Sequence, residues 1–138
     1  MQPINICFNE KHRLSNTENV NLSMIDSIPN FSAGNLHISF LNKMEKQQSI
    51  ELLIRLIKKL KINGIIVFSL LNFDNLIVNY QNGDFLQDDI VSEIKDIRCL
   101  ISNYEVVNMF QNNVEVTIDT IAYDKIYTTY TIRRTSIV

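Results

Sequence analysis

The sequence predicts a single Rossmann-like α/β domain, residues 1–138, in which a mostly parallel sheet is flanked by helices and ends in a C-terminal antiparallel hairpin. Three observations support this fold class. Residues 65–71 form a continuous apolar run, which is typical of a central strand covered on both faces. Short strands and an amphipathic helix precede this run, in the order of parallel strands joined by helices. The last third is rich in Val, Ile, Thr and Tyr, which favours antiparallel strands.

Alternating apolar residues predict three short strands before the helix, at residues 4–8, 20–24 and 36–41. A polar loop at 11–19 separates the first two, and a connection bracketed by Pro29 and Gly34 separates the second and third. All three strands are short enough to be the parallel strands of an α/β sheet.

An amphipathic helix is predicted from Ser49, which we interpret as its N-cap. Its apolar residues recur at steps of three and four, as Ile50, Leu53, Ile54, Ile57 and Leu60. Asn63 and Gly64 are expected to end it, directly before the apolar run.

Beyond the apolar run, Asn72 is expected to cap a short helix at 73–80. A longer helix is predicted from Asp88 or Asp89, with an apolar stripe that reaches Ile101. Strands are then predicted at 104–110, 114–122 and 126–134. They are separated by residues 111–113 and by a second break, residues 123–125, which ends at Lys125.

Composition and charge exclude several classes of protein. A hydrophobic fraction of 46% with three Gly and two Pro argues against a disordered chain. The net charge of −2 gives no field that favours nucleic acid or an anionic membrane. No signal peptide is visible at the start, and no apolar run approaches the roughly 18 residues that span a bilayer. We therefore expect a cytoplasmic protein without membrane insertion or an evident nucleic-acid partner.

The cysteines and histidines show no spacing typical of a metal site, so none is predicted. Cys7 and Cys99 lie far apart in apolar runs, which indicates buried, reduced thiols. No base adjoins Cys7 that would make it a nucleophile. His37 is interpreted as a satisfied strand residue and His12 as a solvated loop residue.

One basic cluster remains as a candidate for anion binding. Residues 11–13 read Lys-His-Arg, and Arg133 and Arg134 lie in the last predicted strand. These residues would line an anion site if the loop and the strand meet, although short basic clusters are usually solvated.

Several motifs between Ile4 and Phe85 resemble those of a known enzyme family. The family's L-N-L-G-x-G corresponds here to Ile4-Asn5-Ile6-Cys7-Phe8-Asn9, its N-V-D to Asn19-Val20-Asn21, and its L-E-H to Leu41-Asn42-Lys43. Its L-K-P-G-G corresponds to Leu60-Lys61-Ile62-Asn63-Gly64, its V-P-D-L-x-x-L to Leu71-Asn72-Phe73-Asp74-Asn75-Leu76, and its tyrosine with a Gly-Asp turn to Tyr80–Asp84. Over about three fifths of its length the chain thus resembles small class I methyltransferases that use S-adenosylmethionine, especially those of surface-polysaccharide pathways.

The resemblance implies a reduced methyltransferase fold with a cofactor site at the carboxyl ends of the parallel strands. The residues carried over to that site are Cys7, Asn9, Asn21, Phe40, Leu41 and Asn42. The family's glycines let the backbone approach the cofactor, but Cys7 and Asn9 replace them. Asn21 replaces the acidic residue that would bond the ribose hydroxyls, and Asn42-Lys43 replaces Glu-His, which would have offered a proton-transfer group.

These departures predict a methyltransferase-like protein with a degenerate S-adenosylmethionine site, which acts through binding as a non-catalytic partner or a homo-oligomer. The alternative is an active S-adenosylmethionine-dependent enzyme with an altered cofactor pocket. The double substitution Cys7→Gly, Asn9→Gly separates an occluded pocket from a missing one. An occluded pocket should gain affinity for the cofactor, whereas a missing one should only lose stability, by roughly 0.5–1 kcal/mol per glycine.

Overall fold

The computed structural model describes residues 2–84, 87–124 and 126–136, with the side chains at 87, 89, 90 and 93 outside the description. Phe85, Lys125 and the side chain of Asp89 therefore lie outside the described residues. The strands are β1 (Ile4–Cys7), β2 (Glu18–Asn21), β3 (Ala33–Ile38), β4 (Leu60–Leu71), β5 (Val116–Asp124) and β6 (Tyr127–Arg134). The α-helices are α1 (Lys46–Lys59), α2 (Phe73–Gln81), α3 (Gln87–Ile94) and α4 (Asn103–Phe110). Short 3-10 helices occupy Glu10–His12, Leu22–Ser27 and Leu41–Lys43.

These elements form a six-stranded sheet in the order β2-β1-β3-β4-β6-β5. The first four strands in that order are parallel, and β6 runs antiparallel to both β4 and β5. The predicted fold class is confirmed, including the central place of the 65–71 run and the antiparallel hairpin at the end.

The two faces of the sheet differ in chemistry. One row of neighbouring side chains, on what we call the apolar face, consists of Val20, Ile6, Ile38, Phe68, Tyr130 and Ile121. The side chains at the neighbouring register position point to the opposite face, which we call the polar face. They are Asn19, Asn5, His37, Val67, Thr131 and Thr120. The expectation that β4 is covered on both faces is wrong, because Ile65, Val67 and Ser69 on the polar face are only half-buried.

The handedness of the connections explains why one face receives most of the cover. Parallel strands are joined by right-handed crossovers, so connections that run in opposite directions along the sheet lie on opposite faces. The connections toward β3, β4 and β5 bring Ile25, Leu56 and Phe110 onto the apolar face, where they join the main core. The connection from β1 to β2 runs the other way, and its residues 8–17 cross the polar face beside β1.

A second, smaller core forms at the carboxyl end of β4. Leu71 and Ile126 are buried there against Leu76 of α2, with Ile97 and Tyr127 packed around them. Among the described residues no helix is long and apolar enough to cross a bilayer.

Helix α1 differs from its prediction at both ends. It begins at Lys46, and Ser49, the predicted N-cap, lies inside the helix, where its buried hydroxyl donates to the Leu41 carbonyl at 2.6 Å. Its buried side chains are Ser49, Leu52, Leu53, Leu56 and Ile57, a face rotated from the predicted stripe. It ends at Lys59 because β4 begins at the next residue.

Gly64 belongs to β4 rather than to a helix end. Asn63 before it has a positive φ of 66°. A Cβ at Gly64 would lie 2.6 Å from the Ala33 carbonyl oxygen and 2.9 Å from that of Lys61. Glycine is therefore required where β3 and an irregular start of β4 approach each other.

Three other predicted elements are wrong: the helix predicted to reach Ile101 ends at Ile94, and polar caps alter two predicted strands. Residues 104–110 form α4 rather than a strand, because Ser102 and Glu105 make a reciprocal capping box and place Val106 and Phe110 one turn apart in the core. The strand predicted at 20–24 ends at Asn21, whose side chain caps a 3-10 helix. In both places a polar cap outweighs the β-rich pattern of the neighbouring residues.

Arg134 is a buried cation, with 2% of its surface exposed. Its guanidinium donates to the Ile57 carbonyl at 2.9 Å near the C-terminus of α1, lies 3.8 Å from Glu115 and packs over the Phe31 ring. A cation in this position satisfies a helix-end carbonyl and complements the helix dipole.

We expect Arg134→Met to lower the free energy of unfolding by about 2–4 kcal/mol, because a buried carbonyl and Glu115 lose their partner. Arg133→Met is the matched control on the same strand. Its ion pair with Asp119 is partly exposed, so the expected loss is about 1 kcal/mol or less. Urea unfolding of both variants measures the difference, and equal losses would contradict the role assigned to Arg134.

Candidate functional site

The direction of the chain crossovers changes between β1 and β3. The connection from β1 crosses the polar face, whereas the connection from β3 to β4 crosses the apolar face. In open α/β sheets a ligand-binding crevice forms at such a switch point, outside the carboxyl ends of the strands. The candidate site therefore lies where residues 8–12 follow β1 and residues 39–42 follow β3.

His12 closes the turn after β1. The backbone amides of Phe8 and Asn9 donate to His12 Nδ1 at 3.2 and 3.3 Å. The imidazole stacks on the Phe40 ring at 4.8 Å, and the Phe8 ring lies against Phe40 at 6.0 Å. The crevice is thus occupied by side chains of this chain, and the two amides at its edge already have an acceptor.

The Nδ1 contacts determine the protonation of His12. Nδ1 accepts two amide protons, so the neutral ring carries its own proton on Nε2. Burial, followed by the charges of Lys43 and Lys11, lowers the pKa of His12 below its ordinary value. The neutral ring is therefore the form that closes the turn. The sequence interpretation of His12 as a solvated loop residue is wrong.

Cys7 lies at the end of β1 with only 4% of its surface exposed. Its Sγ lies 3.5 Å from Asn19 Oδ1 and 3.7 Å from the Asn5 carbonyl, under the loop that crosses the polar face. Burial is the largest cause that raises the pKa of this thiol. A protonated, enclosed thiol is not a ready nucleophile at neutral pH.

Asn5 on β1 connects the sheet to the loop of residues 8–17. Its side chain is fully buried and donates to the His12 carbonyl at 2.6 Å and to Asn19 Oδ1 at 2.9 Å, while its Oδ1 contacts His37 Nδ1 at 2.9 Å. Burial lowers the pKa of His37. The interpretation of His37 as a satisfied strand residue is confirmed, and the same network holds the 8–17 loop against β1.

Asn9 and Asn21 act as caps in the structure. Asn9 Oδ1 accepts from the Lys11 amide at 2.9 Å and so caps the Glu10–His12 helix. Asn21 ends β2 beside Cys7, and its Oδ1 accepts from the Ser23 amide at 3.0 Å. Both side chains are exposed at the rim of the crevice.

Leu41 and Asn42 turn into the protein instead of toward the rim. Leu41 is fully buried in the main core. Asn42 accepts from the Leu71 amide at 2.8 Å and donates to the Cys99 carbonyl at 3.1 Å, which ties the ends of β3 and β4 to the segment before α4. The structure thus brings Cys7, Asn9 and Phe40 to the crevice, with Asn21 at its edge. Asn42 is bonded instead to Leu71 and Cys99 inside the protein.

The proposed basic cluster does not form. Residues 11–13 follow β1 at the carboxyl end of the parallel strands, whereas Arg133 pairs with Ile65 near the start of β4. Arg133 contacts Asp119 and Arg134 is buried against α1, so both are engaged elsewhere. Among the residues described here, no group of three or more His, Cys, Asp and Glu could hold a metal ion.

A separate cavity of about 280 Å³ lies at the carboxyl end of β4. It is lined by Leu70, Leu71, Asn72, Phe73, Asp74, Leu100, Ile101, Ser102, Asn103, Glu105, Thr128 and Tyr130. The Tyr130 hydroxyl donates to Asn103 Oδ1 at 2.9 Å, and burial, with a smaller contribution from Tyr123, raises the pKa of Tyr130 to about 12. Its polar groups are neutral donors and acceptors together with the carboxylates of Asp74 and Glu105.

No protein-family model and no curated protein sequence matches this chain. Solved structures do share its fold. A SAM-dependent methyltransferase from Anabaena variabilis ATCC 29413 matches with a TM-score of 0.58 at 12% identity, over 95% of this chain and 67% of that one. A "possible exported protein" from Bordetella parapertussis matches with a TM-score of 0.57 at 12% identity, over 98% and 54%. A DUF574 family protein from Streptomyces avermitilis matches with a TM-score of 0.55 at 9% identity, over 87% and 57%.

These similarities show a class I methyltransferase-like fold and, at such low identity, the fold alone. This chain spans between about half and two thirds of the length of the three structures. The predicted resemblance is therefore confirmed at the level of the fold.

His12 was missed as a site residue, although the sequence carries a signal for it. Asn9 precedes His12 by three residues, which is the spacing of a capping box in which the third residue of the helix accepts from the backbone of the cap. The motif is hard to recognise because its third helical residue is His12, where Glu or Gln is usual.

We expect His12→Phe to flatten the dependence of stability on pH. Because the pKa of His12 is lowered in the folded state, its neutral ring stabilises the fold fully above its unfolded pKa of about 6.5, and this contribution is lost as the pH falls through the folded value. Phenylalanine keeps a ring against Phe40 but cannot accept the amide protons or titrate. Urea unfolding between pH 7.5 and 5 should show a smaller decline for the variant, and equal declines would contradict the assignment.

Proposed function

We propose that this protein is a methyltransferase-like domain that has lost its S-adenosylmethionine site and acts through protein binding, as a non-catalytic partner or a homo-oligomer. One observation carries the proposal. The Phe8 and Asn9 amides, at the turn where the family resemblance puts the glycine-rich cofactor loop, donate to His12 Nδ1 inside the chain. A ligand would have to displace His12 from these amides and from the Phe40 ring.

The groups around the crevice support the loss of cofactor chemistry. An acidic residue at the end of β2 would accept from both ribose hydroxyls as an anion, whereas Asn21 is neutral and its oxygen caps a helix. Asn42, where the resemblance has a glutamate, is buried and bonded to Leu71 and Cys99. Neither position therefore offers the carboxylate that the family resemblance places there.

The polar face supports a function through binding. Mostly parallel sheets are normally covered on both faces, because crossovers place helices on each. Here Val67 and Thr131 at the centre of the polar face remain half-buried. The structural neighbours are longer proteins, so a partner chain or a further part of the protein would supply the cover that this chain lacks.

An active enzyme with an altered cofactor pocket is the competing function. The cavity at the carboxyl end of β4 is the observation that favours it, because polar side chains line part of it and it lies at the correct end of the sheet. At about 280 Å³ it falls below the roughly 300–1,000 Å³ of pockets that hold drug-sized ligands. It also lies beside β4 and β6 rather than at the switch point between β1 and β3.

The motif resemblance also suggests a context for this domain. Surface-polysaccharide pathways are the setting that it implies, and the two buried, unpaired cysteines support a cytoplasmic location.

Isothermal titration calorimetry with S-adenosylmethionine and with its demethylated product tests the loss of the site. We expect neither compound to bind the wild-type protein with micromolar affinity, because binding would have to break the His12 contacts. Saturable micromolar binding of either compound would overturn the proposal in favour of the enzyme.

The double variant Cys7→Gly, Asn9→Gly is the control for simple occlusion by these two side chains. Because the Cys7 thiol lies under the loop and Asn9 caps the Glu10–His12 helix, we expect the variant to lose stability without gaining affinity. A gain of cofactor affinity would show that these side chains, and not His12, close the site.

A further inference from the structure

Helix α1 carries more apolar surface than the sheet covers. Its buried face contacts the sheet through Leu52, Leu53 and Leu56, which belong to the main core. Ile54 leaves 45% of its surface exposed, and Ile50 is half-buried. Ile50, Ile54 and Ile57 are spaced by four and three residues, so they form one row along the side of the helix.

This row is one wall of a groove between α1 and α4. The groove has a volume of about 240 Å³ and is lined by Ile50, Ile54, Ile57, Lys58, Met109, Phe110, Asn113 and Glu115. Its floor is therefore apolar, and its charged groups stand at one end. A groove of this form fits an apolar helical ridge from another molecule.

Charges beside the row indicate which helix fits. Glu51 and Lys58 are exposed and seven residues apart, so they lie on the solvent side of the row two turns from each other. Neither forms an ion pair with the described residues, and the Glu51 carboxylate accepts only from the Gln47 amide at 3.0 Å. By contrast, Arg55 and Lys46 on the same helix are paired with Asp26 and Glu105.

We propose that a second copy of this chain occupies the groove, with the two α1 helices packed antiparallel about a two-fold axis at Ile54. Residues three or four positions before Ile54 then lie beside residues three or four positions after it in the other copy. Ile50 meets the partner's Ile57, and Glu51 meets the partner's Lys58. Because the axis relates the copies, both the apolar contact and the ion pair occur twice.

The antiparallel dimer gives Glu51 and Lys58 the ion-pair partners that they lack among the described residues of one copy. A parallel arrangement would place like charges together, whereas the antiparallel one brings opposite charges together on the solvent side. The apolar row and the groove floor meet on the other side, where water is excluded. Such a dimer is one form of the homo-oligomer proposed above. The groove contains none of the residues that form the β1 turn, so dimerisation and S-adenosylmethionine binding are tested separately.

Sedimentation velocity over a concentration series, together with light scattering, measures the association. We expect a dimer for the wild type and a monomer for Ile54→Asp, because a carboxylate would be buried at the axis. Val78→Asp is the matched control, since Val78 is an exposed apolar residue on α2 with 50% of its surface accessible. It should leave the dimer unchanged. Circular dichroism confirms that each variant is folded.

Charge reversal tests whether Glu51 of one copy contacts Lys58 of the other directly. Glu51→Lys and Lys58→Glu should each weaken dimerisation by about three- to tenfold, because each creates two like-charge contacts. The double variant Glu51→Lys, Lys58→Glu should restore it. A wild-type monomer at all concentrations, a dimer unaffected by Ile54→Asp, or no rescue in the double variant would each overturn the proposal.

Discussion

The structure depends on the burial of one face of its sheet. Fully buried Ile6, Ile38 and Phe68 lie side by side on that face, and α1, α4 and the 3-10 helix at Leu22–Ser27 pack over them. Burial of large aliphatic and aromatic side chains contributes about 1.5–3 kcal/mol each, so the core packed on this face is the main source of stability. The polar face has no comparable row, so its order depends on hydrogen bonds.

Those hydrogen bonds also shape the candidate site. The connection from β1 to β2 contains no α-helix, and it is held to the sheet by Asn5, which bonds Asn19, His37 and the His12 carbonyl. The loop in turn brings His12 over Phe40 and under the Phe8 and Asn9 amides. The same short connection that leaves the polar face open therefore fills the crevice at the switch point.

The sequence predicts the parts of this structure that follow from local periodicity. The short strands before α1, α1 itself, the central strand and the terminal hairpin are confirmed as elements, because apolar spacing identifies each of them. The errors occur where a polar side chain decides the local structure. Ser102 converts a β-rich segment into α4, and Ser49 is buried because Leu41 offers a carbonyl. Apolar periodicity does not reveal the role of His12, because its partners are two backbone amides and the Phe40 ring.

We propose that His12 Nδ1 accepts from the two amides that a ligand at the β1 turn would otherwise contact. Long-range ¹H–¹⁵N correlation spectra of the His12 ring, recorded near pH 7.5, test it most directly. We expect a single tautomer with the proton on Nε2, an unprotonated Nδ1 that accepts hydrogen bonds, and protection of the Phe8 and Asn9 amides from solvent exchange. A proton on Nδ1, or rapid averaging of the two tautomers with both amides exchanging freely, would contradict the account.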